Sequence, residues 1–139
     1  MATTTLFSDT ALTREGFQSV LSRLAEQYSV RPLSGQPKTG EVQLRHDVAL
    51  SLSAAVTMAK AEAEQGVRGT YCIMLSSPLF NPIDETQRAR IREIDSYGHE
   101  IGLLCNTHDH WDRKPAAQEL SEFVASQQSV LEGIVEDPA

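Results

Sequence analysis

The chain has 139 residues, 40% hydrophobic and 22% charged, a globular balance sized for one domain rather than several. Its 19 acidic and 12 basic side chains leave a net charge of −7, which disfavours nucleic acid and anionic membrane surfaces as partners. Two cysteines, Cys72 and Cys105, are too few for a secreted disulfide framework. No apolar run approaches the ~20 residues of a membrane span, and Met1–Phe7 has neither a basic nor an apolar leader region. The expectation is a cytoplasmic protein with no membrane or nucleic-acid partner.

Thr13 to Tyr28 carries Phe17, Val20, Leu21, Leu24 and Tyr28 at three- and four-residue steps, which predicts an amphipathic helix capped by Thr13. Pro32, Gly35, Pro37 and Gly40 make residues 31–40 a loop. From Val42 to Val48 the alternation of Val42, Leu44, His46 and Val48 with Gln43, Arg45 and Asp47 predicts a strand. It places Asp47 on the face opposite His46. An Ala-rich helix follows, about Leu52 to Gln65, with Ala55, Ala59 and Ala63 inward and Gly66 as its stop. Residues 67–75 read as a second strand, apolar enough at its end for burial on both faces.

Residues 76–82 form a Pro-punctuated loop. A third helix is predicted from Asp84 to Ser96, with Ile83, Ile91 and Ile94 inward, then a short strand from His99 to Cys105. Residues 106–114 are polar loop. Pro115 suits the first position of a last helix carrying Leu120, Phe123, Val124, Val130, Leu131 and Ile134 to about residue 135. Alternating helices and strands predict an α/β fold with a parallel sheet of three strands and four helices. Residues 1–40 form an N-terminal helix and loop, and 41–139 the main domain, in one structural unit.

Sites in such folds gather at the carboxyl ends of strands, here near His46-Asp47-Val48, Met74-Leu75-Ser76-Ser77 and Leu104 to His108. Asp47 suits a metal ligand or general base, and equally a helix cap or a partner of Arg45. His108 and His110, flanking Asp109, are zinc-type donors, or surface histidines beside Trp111. His99 reads as a structural, hydrogen-bonded histidine, and Cys105 as an inert thiol or a soft ligand. Glu62, Glu64, Glu93 and Glu100 read as solvated or helix-face charges. Tyr71, Phe80 and Trp111 are rings able to stack on a sugar, or plain core and loop anchors.

Leu44-Arg45-His46-Asp47-Val48, Ala59 to Gly66, Gly69-Thr70-Tyr71, Pro78 to Asn81 and Gly98-His99-Glu100-Ile101-Gly102-Leu103 occur in that order. Together these segments resemble the polysaccharide deacetylase superfamily, the NodB-homology or carbohydrate esterase family 4-like group, in its Arg-His-Asp-Val-Asp branch. The resemblance covers roughly residues 42–108. It implies a (β/α) barrel and hydrolysis of a sugar N-acetyl group, a carbon–nitrogen bond outside peptides. It also implies a divalent metal such as zinc or cobalt, held by one Asp and two His, that polarises the carbonyl and the attacking water.

Position by position, Asp47 matches the first-motif aspartate, the expected base. Ala49 stands where the next acidic ligand belongs. Of the two expected histidines, the first falls on Leu104 and the second on His108. The resemblance gives out near Val135, before a fourth strand, which implies an incomplete barrel in a homo-oligomer or in part of a longer chain.

Three readings follow. One is a degenerate or truncated deacetylase-like protein, inactive alone and binding a carbohydrate or a partner, with Arg45, Tyr71 and Trp111 as contacts and no metal required. The second is an active hydrolase with a rearranged centre of Asp47, His108 and His110. The third is a non-catalytic module that oligomerises through its open sheet edge.

Overall fold

A computed structural model describes residues 13–136. The residues read above for a leader lie outside that range. Helix α1 (Arg14–Gln27) starts on Thr13, whose hydroxyl accepts the Gly16 N–H, as its capping chemistry predicts. Leu21 is its buried anchor, while Val20 and Tyr28 are exposed. The apolar stripe is therefore narrower than its spacing implied.

Strand β1 (Ser29–Arg31) follows at once and pairs in parallel with β2 (Glu41–Gln43). The breakers from Pro32 to Gly40 predict a loop from residue 31 and no strand here. Three residues are too few for a period of two to stand out. Beyond Leu44 the chain re-pairs as β3 (Arg45–Val48) with β4 (Thr70–Ile73). Leu44 joins the two pairings. Its N–H donates to the Arg31 carbonyl, and its carbonyl accepts the Thr70 N–H.

The second sheet has the order β3-β4-β5, all parallel, with β5 spanning Glu100–Leu103. Helix α2 (Leu52–Glu64) connects β3 to β4, and α3 (Glu85–Ser96) connects β4 to β5. Their buried faces meet one face of this sheet. Leu52, Ala55, Ala59, Ile91 and Ile94 pack with Val48, Tyr71 and Ile73, and α4 (Ala117–Glu136) adds Leu131 and Ile134. Burying each large aliphatic contributes about 1.5–3 kcal/mol. All four β4 residues are buried, as its apolar run predicted.

The helix stops are physical. Gly66 and Gly98 adopt φ of +73° and +88°, where a side chain is strained. At Gly98 a Cβ would also sit 2.7 Å from the Arg68 Nε. Two expectations about inward residues fail. Ile83 precedes the Asp84 cap and is 64% exposed. In α4, Leu120 and Val130 are exposed, and the helix begins at Ala117, two residues after Pro115. The general α/β class holds, and α1, β3, α2, β4, α3, β5 and α4 keep the expected alternation. However, β1 and β2 form a second, two-stranded parallel sheet that the single three-stranded expectation lacked, and the described strands close no barrel. No helix among the described residues is long and apolar enough to cross a membrane.

Candidate functional site

The carboxyl ends of β3, β4 and β5 lie on one side of the parallel sheet. On β3 the alternation holds: Arg45 and Asp47 are exposed, while His46 and Val48 turn toward the helices. The Arg45 Nε–H donates to Asp47 Oδ1 at 2.6 Å, and each side chain is about half exposed, 50% and 51%. Asp47 is thus an ion-pair partner on an open sheet face, not a helix cap. The cap of α2 is Ser51, whose hydroxyl accepts the Ala54 N–H.

His108 lies exposed in a short 3₁₀ turn, Thr107–Asp109, that follows β5. Asp109 accepts a 2.6 Å hydrogen bond from the Asn106 amide. His110 is stacked on Phe123 with centroids 4.5 Å apart, and Trp111 meets both rings edge-on at 4.4 and 4.9 Å. His110 is therefore a member of an aromatic cluster anchored on α4. Among the described residues no three His, Cys, Asp or Glu side chains are grouped to hold a metal ion. The proposed trio of Asp47, His108 and His110 is not brought together. Ala49 and Leu104 bring no donor atom to these strand ends, so the residues present do not fit a metal held by one Asp and two His.

Two cavities open among the same loops. One, about 410 Å³, lies beside half-buried Trp111 and is lined by Thr107, His108, Asp112, Arg113 and Lys114. Arg113 grips Glu119 with two hydrogen bonds of 2.7 and 3.0 Å, which holds that carboxyl down at about 2 with help from the Ala116 N–H. The other cavity, about 460 Å³, follows the β4–α3 loop from Leu75 to Pro82. A larger groove of about 760 Å³ runs between α1 and α2, away from these loops, lined by Phe17, Val56 and Ala61 among others.

Tyr71 is in neither loop cavity. It is fully buried in the core, and its hydroxyl donates to Glu62 Oε2 at 2.8 Å. It has no surface to offer a sugar. Burial, then the Glu62 charge and hydrogen bond, push its phenol well above the ordinary range. Glu62 is the largest departure from the sequence reading. It is 0% exposed, not a solvated helix charge. Its carboxylate accepts the His46 Nε2–H as well as the Tyr71 hydroxyl. His99 packs beside it, with Nδ1 accepting the Gly69 N–H at 3.2 Å and Nε2–H donating to the Ala59 carbonyl at 2.8 Å. Its Nδ1 also lies 3.7 Å from Glu62 Oε2, beyond hydrogen-bond distance.

Phe17, His46, Tyr71 and His99 form a ring series with successive centroids 6.4, 4.6 and 5.0 Å apart. This assembly ties α1, α2 and the sheet together. A sequence signal for it existed. Glu62 lies seven residues after Ala55 and three after Ala59, so it continues the buried stripe of α2. His99 is the hydrogen-bonded structural histidine the sequence suggested. Cys105 is half-buried, and burial raises its thiol above the usual range.

Comparison of the chain with family models, with curated proteins and with solved structures finds no match in any of the three.

Proposed function

We propose that this chain is a polysaccharide-deacetylase-like domain that binds a carbohydrate without hydrolysing it. One observation carries the reading. At the strand ends where the resemblance expects an acidic ligand and a histidine, the chain has Ala49 and Leu104, a methyl and an isobutyl group with no lone pair. Asp47, the expected base, is engaged by Arg45 instead. Without a three-donor centre there is no means of lowering the pKa of a bound water toward ~7.

Binding has better support than chemistry. The Trp111 indole lies beside a cavity whose other walls carry hydroxyl, imidazole, carboxylate and ammonium groups. A ring beside convergent polar groups is how proteins hold a sugar face and its hydroxyls. The sheet agrees with the resemblance in one further respect. Its strands lie in sequence order with α2 and α3 on one face, which suits an arc of a (β/α) barrel better than a doubly wound sheet.

The test pairs an activity with a binding measurement. The chain is given N-acetylated chito-oligosaccharides with zinc or cobalt, and released acetate is assayed. In parallel, Trp111, the single tryptophan, reports binding by fluorescence. The expected result is a saturable Trp111 signal, abolished by Trp111→Ala in a calorimetric repeat, with no acetate. Acetate release that His108→Ala abolishes would instead establish the rearranged metal centre.

A further inference from the structure

The three most exposed large hydrophobic side chains among the described residues are Leu50, Leu79 and Ile83, at 73%, 63% and 64%. All three lie in the loops that follow β3 and β4, on the carboxyl side of the sheet. The loops are fixed to one another. The Ser77 hydroxyl donates to the Ala49 carbonyl at 2.7 Å and accepts the Leu79 N–H at 3.1 Å. Asn81 Oδ1 accepts the Ile83 N–H at 3.1 Å, which sets the third side chain. Side-chain hydrogen bonds therefore hold an apolar display in place beside the 460 Å³ cavity of the β4–α3 loop.

The two loop segments, 49–51 and 74–83, carry no charge of their own, and the charged residues nearest them in sequence, Asp47, Asp84 and Glu85, are acidic. Residues 48–59 and 69–83 contain no Asp, Glu, Lys, Arg or His, in a chain whose net charge is −7. The occupant is thus neutral and apolar where it touches these loops. These two segments supply no basic side chain to attract an anionic bilayer. The patch is also small. Three aliphatic side chains at this exposure present roughly 400 Å², about half of the ~800 Å² per partner in a standard protein interface. A single hydrocarbon chain matches that size better than a second copy of the protein.

We propose that the β3–α2 and β4–α3 loops bind the aliphatic chain of an amphipathic glycan, a neutral glycolipid or acylated sugar. This rests on the sugar reading for Trp111, because both features lie at the carboxyl end of one sheet. The chain's tail lies along Leu50, Leu79 and Ile83, and its sugar lies in the Trp111 cavity.

The test uses octyl and methyl β-glycosides of N-acetylglucosamine, kept below the micelle concentration of the octyl compound. Affinities for the full chain are measured by calorimetry. Each buried methylene is worth about fourfold in affinity, so the octyl compound is expected to bind at least about tenfold tighter than the methyl one. Leu79→Ser/Ile83→Ser changes exposed side chains only. It should remove that advantage and leave methyl-glycoside binding unchanged. Equal affinity of the two glycosides for the native chain, or an advantage that survives in the double variant, would overturn the proposal. Tight octyl binding unaffected by Trp111→Ala would retain the apolar site and defeat the sugar reading. A dimer by light scattering that the double variant dissociates would assign the patch to a second copy and overturn the proposal.

Discussion

The Tyr71 hydroxyl donates to the Glu62 carboxylate across 2.8 Å, between two side chains that are both 0% exposed. A carboxylate so placed loses its hydration, and only its fixed partners replace it. His46, from β3, supplies the second. The pairing joins the end of α2 to two adjacent strands, and it makes this buried network the sharpest test of how the fold is held.

Removing one partner from such a network leaves others unpaired. Tyr71→Phe deletes a single hydroxyl and is expected to cost about 1–3 kcal/mol. Glu62→Ala leaves His46 and Tyr71 without an acceptor and is expected to cost about 3–5 kcal/mol. Urea denaturation of each variant, and of the pair, measures the cost. Additive costs would show that the two residues do not act together.

Glu119 anchors the start of α4. It accepts from Arg113 and from the Ala116 N–H, and these hold its carboxyl at about 2. A depressed folded value contributes stability above the unfolded carboxyl range, and that contribution is lost as pH falls through the folded value. The stability difference between the native chain and Glu119→Gln should therefore be full at pH 7. It should shrink from about pH 4 and vanish near pH 2. Salt should reduce it, because the pair is exposed. Denaturant midpoints across pH provide the check.

The same helix lacks half of a capping box. Glu119 reaches back to the N–H of Ala116, but Ala116 has no side-chain oxygen to cap the turn in return. Ala116→Ser supplies one. A gain of about 1 kcal/mol in unfolding free energy is expected. An unchanged thermal midpoint would count against this account of the α4 start.

Both thiols are shielded. Burial raises Cys72, with Arg45 opposing it and Asp47 and Glu100 adding to it, and burial raises Cys105. Less thiolate at a given pH means slower reaction. Labelling by a chromogenic disulfide at pH 8 should be slow in the native chain and fast in guanidinium. Rapid stoichiometric labelling of either native thiol would contradict this placement.

If the proposed deacetylase-like reading is right, supplying the two donors that the resemblance expects should create a metal site. Ala49→Asp/Leu104→His adds an acidic and an imidazole donor near Asp47 and His108 in the sequence. Cobalt titration should then develop visible d–d absorption with one-to-one stoichiometry, absent from the native chain. A flat titration of a folded double variant would place the missing chemistry elsewhere.

Local chemistry alone determined much of this protein. Thr13, Gly66 and Gly98 set helix limits because capping and positive φ depend on one or two residues. The alternation along β3 assigned Asp47 and His46 to opposite faces because a strand has a period of two. The parallel order followed from alternating helices and strands. That Ala49 and Leu104 carry no donor atom was legible in the sequence as well. Tertiary structure alone decided what depends on partners far apart in the chain. Glu62 looked like any charge on a helix, and only the arrival of His46 and Tyr71 from two strands made its burial affordable. His110 had the right atoms for a metal, but Phe123, thirteen residues on, took its ring. Tyr71 looked like a sugar platform until α2 and α3 closed over its face of the sheet. Burial is a property of the assembled layers. A side chain's chemistry is written in the sequence, but its access to solvent and ligand is set only when helices and strands meet.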